Sequence, residues 1–242
     1  MKSDKRVIVV MPAYNAEKKI SSVFRRFPKN TVKKIYEFIV VNDCSADDTL
    51  KVLQKLKKEY KIKVISHSKN EGYGGAQKTG LKAALGDGAD IAVLMHSDGQ
   101  LAPEIMHKLL APLENGEADV VQGSRILGGG ALKGGMPLYK YLGNRFLTII
   151  QNMAYGMNLK EYHSGYLLYS RKVLGAVQFK NLSDNFLFDC EMLISAHKSG
   201  FKIKQMPTST KYADEKSHLN PITYGLDILK TIFKYWAGKY GP

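Results

Sequence analysis

Short apolar runs that stop abruptly at polar residues constrain this chain more than any other feature. Residues 7–11, 38–41, 62–65 and 91–95 are mainly apolar, and 119–122 centres on Val120 and Val121. Between them, residues 16–27, 47–60, 74–85 and 103–113 carry apolar residues at helical spacing, with Leu50, Leu53 and Leu56 expected on one buried side. Strands that lack polar alternation bury both faces, and a parallel sheet covered by helices on each side satisfies them. The expected fold class is α/β: a Rossmann-like, mostly parallel sheet flanked by helices. The polar residues after each run are equally ordered. Pro12, Ala13, Tyr14 and Asn15 end the first, Asn42 and Asp43 the second, Asn70, Glu71 and Gly72 come after the third, and His96, Ser97 and Asp98 end the fourth. All fall at the carboxyl edge of one sheet, where open α/β folds bind ligands.

Beyond Arg125 the pattern changes. Residues 126–135 are glycine-rich and read as a mobile loop. Helices are expected over 139–155 and 189–198, a strand over 166–169, and a strand with one wet face over 201–206. Residues 1–220 read as one compact domain and 221–242 as a C-terminal amphipathic helix. Ile222, Leu226, Leu229, Phe233 and Trp236 recur there at spacings of three and four, interleaved with Lys230, Lys234 and Lys239 and close to Tyr235 and Tyr240. Such a helix suits a membrane interface. The same stripe also suits packing on the domain or against a second subunit.

Composition narrows the partners. The chain has 242 residues, 44% of them hydrophobic, enough for one sizeable core. No run reaches the roughly 18–20 apolar residues that span a bilayer. The polar N-terminus lacks the features of a secretory signal, so a cytoplasmic protein is expected, with membrane contact through the tail or through a membrane-protein partner. Cys44 and Cys190 are far apart without ligand spacing and read as reduced thiols. A net charge of +14 favours anionic partners. Nucleic acid is not expected, because no DNA- or RNA-binding motif is present. Nucleoside diphosphates and phospholipid head groups fit the charge equally well. The lysines of the helical segments, such as Lys18, Lys51 and Lys55, read as a solvated face.

Asp98, a hard oxygen donor at a strand end, is the natural first ligand for a divalent cation. His96 either ligates as well, tilting the site toward Mn²⁺ over Mg²⁺, or hydrogen-bonds a ribose or a water. Residues 70–75 resemble a phosphate cradle but lack Walker A spacing. Lys78, further along that helix, faces either a nucleotide or solvent.

The ordered set Pro12-Ala13-Tyr14-Asn15, Asn42-Asp43-Cys44-Ser45, Asn70 and Gly72 with Gly80, Asp98-Gly99-Gln100, Gly123-Ser124-Arg125, Ser164-Gly165 and Phe188-Asp189-Cys190-Glu191 resembles family 2 glycosyltransferases of GT-A fold. It is closest to their dolichol-phosphate mannosyltransferase-like, polyprenyl-phosphate branch, over about residues 6–218. The resemblance implies an inverting, metal-dependent transfer of a sugar from a GDP- or UDP-sugar. It places the nucleotide-sugar on Pro12, Ala13, Tyr14, Asn15, Glu17, Asp43, Gly72, Lys78, Ser97 and Asp98, and a divalent metal (Mn²⁺ or Mg²⁺) on Asp98 and Gln100. The chain departs from the family at His96, where the first aspartate of the Asp-x-Asp signature is expected, and at Ala16, which displaces the acid to Glu17.

The acceptor separates two mechanisms. A saccharide hydroxyl needs a general base, for which Asp189 and Glu191 are the candidates. A polyprenyl phosphate is already an anion and needs cations instead, for which Arg125, Arg145 and Lys216 are suited, with Ser164 lining the acceptor side. A third reading is a sugar-nucleotide-binding protein in which His96 has abolished turnover.

Overall fold

The computed structural model describes residues 5–210 and 221–241. Strands β1 (Val7–Ala13), β2 (Ile35–Asn42), β3 (Ile62–Ser66), β4 (Ile91–Leu94), β5 (Val120–Ser124), β6 (Leu167–Ser170) and β7 (Ile203–Pro207) form one sheet in the order β3-β2-β1-β4-β6-β5-β7. The helices are α1 (Ile20–Arg25), α2 (Lys29–Val32), α3 (Thr49–Leu56), α4 (Gly72–Gly86), α5 (Met106–Glu114), α6 (Gly130–Lys133), α7 (Leu138–Tyr155), α8 (Arg171–Ala176), α9 (Phe188–Lys198) and α10 (Pro221–Trp236).

The apolar runs bury both faces, as their lack of alternation predicts. Ile8 and Val10 of β1 join Ile39 and Val41 under α4, α8 and α9. Val7, Val9 and Met11 face the opposite core, with Val23 and Phe24 of α1, Leu53 of α3 and Leu109 and Leu110 of α5. In α3 the expected three-leucine face is narrower: Leu53 and Leu56 are buried, but Leu50 is exposed.

The sheet is parallel except at β6, which runs antiparallel to both β4 and β5. This reversal matters for the site. The residues entering β6, Ser164 to Tyr166, arrive at the edge where β1, β2 and β4 end, so the second half of the chain meets the first there.

The glycine-rich stretch 126–135 is not an open loop. It folds into a tight turn and α6, packed on the chain leaving β7. A Cβ on Gly130 would lie 2.2 Å from the Thr208 carbonyl oxygen, and one on Gly134 2.0 Å from that of Thr210. Gly130 and Gly134 serve close backbone approach, while Gly128, Gly129 and Gly135 take left-handed φ of 79°, 73° and 87°.

Helix α10 packs against α7. The Trp236 indole donates to the Ala154 carbonyl at 3.1 Å, and the Tyr235 hydroxyl to that of Tyr155 at 3.2 Å. The buried face of α10 is Ile228, Thr231 and Ile232. The stripe Leu226, Leu229, Phe233 and Trp236 therefore points outward, beside the buried face and not within it. The side chain of Ile222 lies outside the described residues. Helix α7 adds a second outward stripe of Leu138, Tyr139, Leu142, Phe146, Ile149 and Met153, and the residues of both stripes are 43–74% exposed.

Gly80 lets α4 lie directly on the sheet: a Cβ there would sit 2.2 Å from Val10 Cγ1 and 3.3 Å from Val41 Cγ2. Gly80→Ala should lower the unfolding free energy by about 1–3 kcal/mol through overpacking. Gly143→Ala, in α7 with open space around the new Cβ, should raise it by about 0.5–1 kcal/mol. Urea denaturation of both variants checks the pair.

Candidate active site

The end of β1 is built for exposure. Ala13 closes the strand inside the core, and Tyr14 stands 55% exposed beyond it. Asn15 adopts a left-handed backbone at φ 48°, which a short polar residue tolerates. Its side-chain oxygen accepts the Ala46 amide at 2.9 Å, and its own amide donates to Ser45 Oγ at 3.0 Å. Glu17 is tied to the same neighbour: its amide donates to Asp47 at 3.0 Å, and its carboxylate accepts the Asp48 amide at 3.3 Å. The loops after β1 and β2 thus brace each other, leaving the Tyr14 ring open to solvent.

Three residues expected on the nucleotide are also bonded within the fold. Asp43 accepts the Glu71 amide and His67 Nδ1 with one oxygen, at 2.8 and 2.7 Å, and the Gly72 amide with the other at 3.0 Å. It caps the start of α4, where a carboxylate also suits the helix dipole. Gly72 and its neighbours do not form a phosphate cradle. The Gly74 and Gly75 amides donate to the Asp184 carbonyl at 2.7 and 3.3 Å, and a Cβ on Gly72 or Gly74 would collide with the backbone of residues 183–184. Lys78 turns to that same loop, bonding the Leu182 carbonyl and pairing with Asp184 at 2.8 Å.

The turn after β4 carries the open donors. Asp98 Oδ1 accepts the Gln100 amide at 2.9 Å, and Asp98 Oδ2 stands 3.9 Å from His96 Nδ1. Ser97 between them is buried. The turn is clamped from below: Arg26 donates to the Gly99 carbonyl at 2.7 Å while its fork holds Glu104 at 2.7 and 3.1 Å. Among the described residues no cluster of three His, Cys, Asp or Glu side chains could hold a metal. The protein offers instead one oxygen and one imidazole nitrogen side by side. That donor set fits a divalent cation whose other positions are filled by substrate phosphates and water. The Gln100 carbonyl accepts Thr210 Oγ1 at 3.2 Å, which ties the turn to the chain after β7.

Behind His96 lies a group that motif reading missed. Tyr73 Oη is 2.5 Å from His96 Nε2 and donates to Asp189 Oδ2 at 2.8 Å. Gln77 donates to Asp189 Oδ1 at 3.0 Å and leaves its own carbonyl oxygen without a partner among the described residues. Tyr73 and Gln77 sit four apart on α4 and so share a face, a spacing visible in the sequence. Burial, then the adjacent Asp189 charge, push the Tyr73 phenol well above its usual range, so it keeps its proton. Burial raises Asp189 as well, against the lowering effects of His96, Tyr73 and Gln77.

Both candidate bases are bonded within the protein. Asp189 is buried with both oxygens bonded to protein donors. Glu191 points away from it, accepting the Ser183 amide at 2.6 Å and the Tyr240 hydroxyl at 2.7 Å, with Lys234 at 3.9 Å. It fastens the end of the chain rather than lining the site.

The candidate acceptor cations are also bound inward. Arg125 grips the buried Glu161, with Nε to Oε1 at 2.8 Å and its amide to Oε2 at 2.8 Å, and donates to the His163 carbonyl at 2.7 Å. Glu161 escaped notice because its neighbours carry no motif. Buried, it requires a cation close by. Ser164 is buried, its hydroxyl donating to the Gly123 carbonyl at 2.6 Å and its carbonyl accepting Gln122 at 3.0 Å. Arg145 lies half-buried on α7 and donates to the Lys160 carbonyl at 3.2 Å. Lys216 lies outside the described residues.

Comparison with known proteins identifies the family. The profile described as Glycosyl transferase family 2 matches residues 8–177. A protein of Methanococcus voltae named UDP-N-acetylglucosamine--dolichyl-phosphate N-acetylglucosaminyltransferase is 33% identical over 225 residues, covering 88% of each chain. The dolichol-phosphate mannosyltransferase of Pyrococcus furiosus is 30% identical over 84% of this chain and 55% of its own. Among solved structures, glucosyl-3-phosphoglycerate synthase of Mycobacterium tuberculosis, in complex with Mn²⁺, UDP-glucose and phosphoglyceric acid, superposes with a TM-score of 0.70. It shares 23% identity over 97% of this chain and 80% of that one, a likeness of GT-A fold. The chain belongs to glycosyl transferase family 2.

Proposed function

We propose that this glycosyltransferase moves a sugar, with inversion, from a nucleoside diphosphate sugar to a polyprenyl phosphate at a membrane surface. The observation that carries the reading is the state of the candidate bases. A saccharide hydroxyl must lose a proton, yet Asp189 is enclosed by protein donors and Glu191 lies elsewhere. A phosphate acceptor needs no base. The names of the Methanococcus voltae and Pyrococcus furiosus relatives point to the same acceptor class, and the former makes a UDP-sugar the first donor to try.

In this reading Tyr14 and Asn15 carry the nucleoside, and Asp98 with His96 hold a divalent cation, Mn²⁺ or Mg²⁺, against its diphosphate. The cation supplies neutralisation of the charge that develops on the leaving diphosphate. A phosphate oxygen of the acceptor attacks the anomeric carbon as the bond to the diphosphate breaks, giving a lipid-linked sugar phosphate and a nucleoside diphosphate. Gln100, whose backbone is fixed by Asp98, stands next to the same space.

The acceptor is a lipid, and the outward faces of α7 and α10 suit one. Their apolar stripes lie on packed helices, with Lys133, Lys230, Lys234 and Lys239 exposed nearby. Apolar side chains edged by cations match an anionic bilayer surface. No described helix is long and apolar enough to cross a membrane. The free thiol of Cys44, exposed at the sheet edge, suits the reducing cytoplasmic side.

Two experiments test this reading. Mn²⁺ should tighten UDP binding in calorimetry. Asp98→Ala should remove that gain while keeping metal-free UDP binding, and should slow transfer to polyprenyl phosphate by about a hundredfold or more. Transfer to a saccharide hydroxyl with none to the lipid phosphate overturns the acceptor assignment. In flotation with anionic vesicles, the double variant Phe146→Asp, Phe233→Asp should partition roughly a hundredfold more weakly, the loss expected when two aromatic side chains stop burying. Its thermal response to UDP should stay unchanged. Equal flotation overturns the membrane face.

A further inference from the structure

We propose that Tyr73, held by Asp189, fixes the tautomer of His96 and aims its Nδ1 lone pair into the cation site. The inference rests on the reading of His96 and Asp98 as cation donors and adds what makes the histidine fit for that task.

With Asp189 ionised and His96 neutral, the hydrogen bonds leave one consistent arrangement. Asp189 accepts at both oxygens, from the Gln77 amide and from the Tyr73 hydroxyl. A carboxylate has no proton to give, and a phenol has one. The Tyr73 proton therefore points to Asp189, and the Tyr73 oxygen is left to accept. Its other neighbour is His96 Nε2 at 2.5 Å, which must then be the donor. A neutral imidazole carries one ring proton, so with Nε2 protonated, Nδ1 bears the lone pair. Nδ1 is the nitrogen beside Asp98 Oδ2. A histidine ligand is commonly oriented in this way, by the hydrogen bond its second nitrogen makes.

The surroundings hold this arrangement shut on one side. The Tyr73 and His96 rings meet edge to face at 5.3 Å between centroids, and Phe186 stacks on Tyr73 at 5.1 Å. Gly165, delivered by the antiparallel β6, lies directly over the bond. A Cβ there would be 2.3 Å from His96 Nε2 and 2.5 Å from Tyr73 Oη. The glycine after Ser164 is thus explained by contact with the Tyr73–His96 pair rather than by an acceptor subsite. His96 keeps 22% of its side chain accessible, so the ring is sealed at its Nε2 side without being buried outright.

Tyr73 is a positioning residue, and its test must read the ring and not only turnover. Long-range ¹H–¹⁵N correlation on metal-free, histidine-labelled protein should show His96 as the Nε2–H tautomer in the wild type. Tyr73→Phe, which keeps the ring and removes the hydroxyl, should give a mixture of tautomers. In Mn²⁺ binding followed by electron paramagnetic resonance with UDP present, Tyr73→Phe should weaken affinity about tenfold. Spin-echo modulation from an imidazole nitrogen should be present in the wild type and absent in His96→Ala. An Nδ1–H tautomer in the wild type overturns the proposal, and that measurement requires no variant to fold. Unchanged tautomer and affinity in Tyr73→Phe overturn it too. If the Nε2–H tautomer is found but His96→Ala leaves Mn²⁺ affinity unchanged, the donor reading of His96 fails, and the aiming of Nδ1 at a cation fails with it.

Discussion

A carboxylate taken out of water costs several kcal/mol unless protein donors replace its hydration, and that constraint organises the carboxyl edge of this sheet. Asp43, Glu161 and Asp189 are all buried there, each answered by a different set of donors. Asp43 takes backbone amides and a histidine, and in doing so starts α4. Glu161 takes Arg125, and in doing so joins the end of β5 to the chain entering β6. Asp189 takes Tyr73 and Gln77, and in doing so joins α9 to α4. While these acids are satisfied inside, Asp98 in the turn after β4 stays partly exposed, its Oδ2 beside His96 Nδ1.

The strand ends, and the sheet edge they share, were legible from local pattern alone. Unbroken apolar runs such as 38–41 dictate two buried faces, and their polar terminators must then share an edge. Roles at that edge were less legible, because residue type does not say which way a group is committed. Asp43 and Lys78 have the chemistry of nucleotide ligands, and both are consumed by neighbours more than 20 residues away in sequence. Gly72 and Gly74 have the look of a phosphate loop, yet serve the close approach of residues 183–184. The roles of Tyr73 and Glu161 were hidden for the opposite reason: their partners come from distant segments that only the reversal of β6 and the docking of α9 bring near. The stripe on α10 was read correctly as a stripe. Its outward direction depends on α7, which presents Tyr155 and Ala154 to the neighbouring face.

The antiparallel strand has a mechanical consequence. A parallel β6 would have delivered Ser164 and Gly165 to the far edge of the sheet. Reversed, it places a backbone without a side chain against the Tyr73–His96 bond and ties Ser164 to Gly123 of β5. The same connection carries Arg125 and Glu161, so buried polar bonds join the two halves of the molecule in addition to the apolar cores they share. Such networks are costly when half-satisfied and rigid when complete.

The replacement of an aspartate by His96 changes the charge balance of the proposed cation site as well as its donor atoms. Two carboxylates would bring two negative charges to a divalent ion. Here Asp98 brings one, and a neutral imidazole brings a lone pair. With such a site the protein alone would bind the ion weakly, and the diphosphate of the donor would supply the charge that is missing. Imidazole nitrogen also shifts preference from Mg²⁺, which favours an all-oxygen shell, toward Mn²⁺. Both effects require that Nδ1 be unprotonated and correctly turned, which a solvent-exposed histidine would not guarantee. The substitution at residue 96 and the buried Asp189–Tyr73 pair therefore make sense together: the first gives up a charge, and the second ensures that the group standing in its place is a donor.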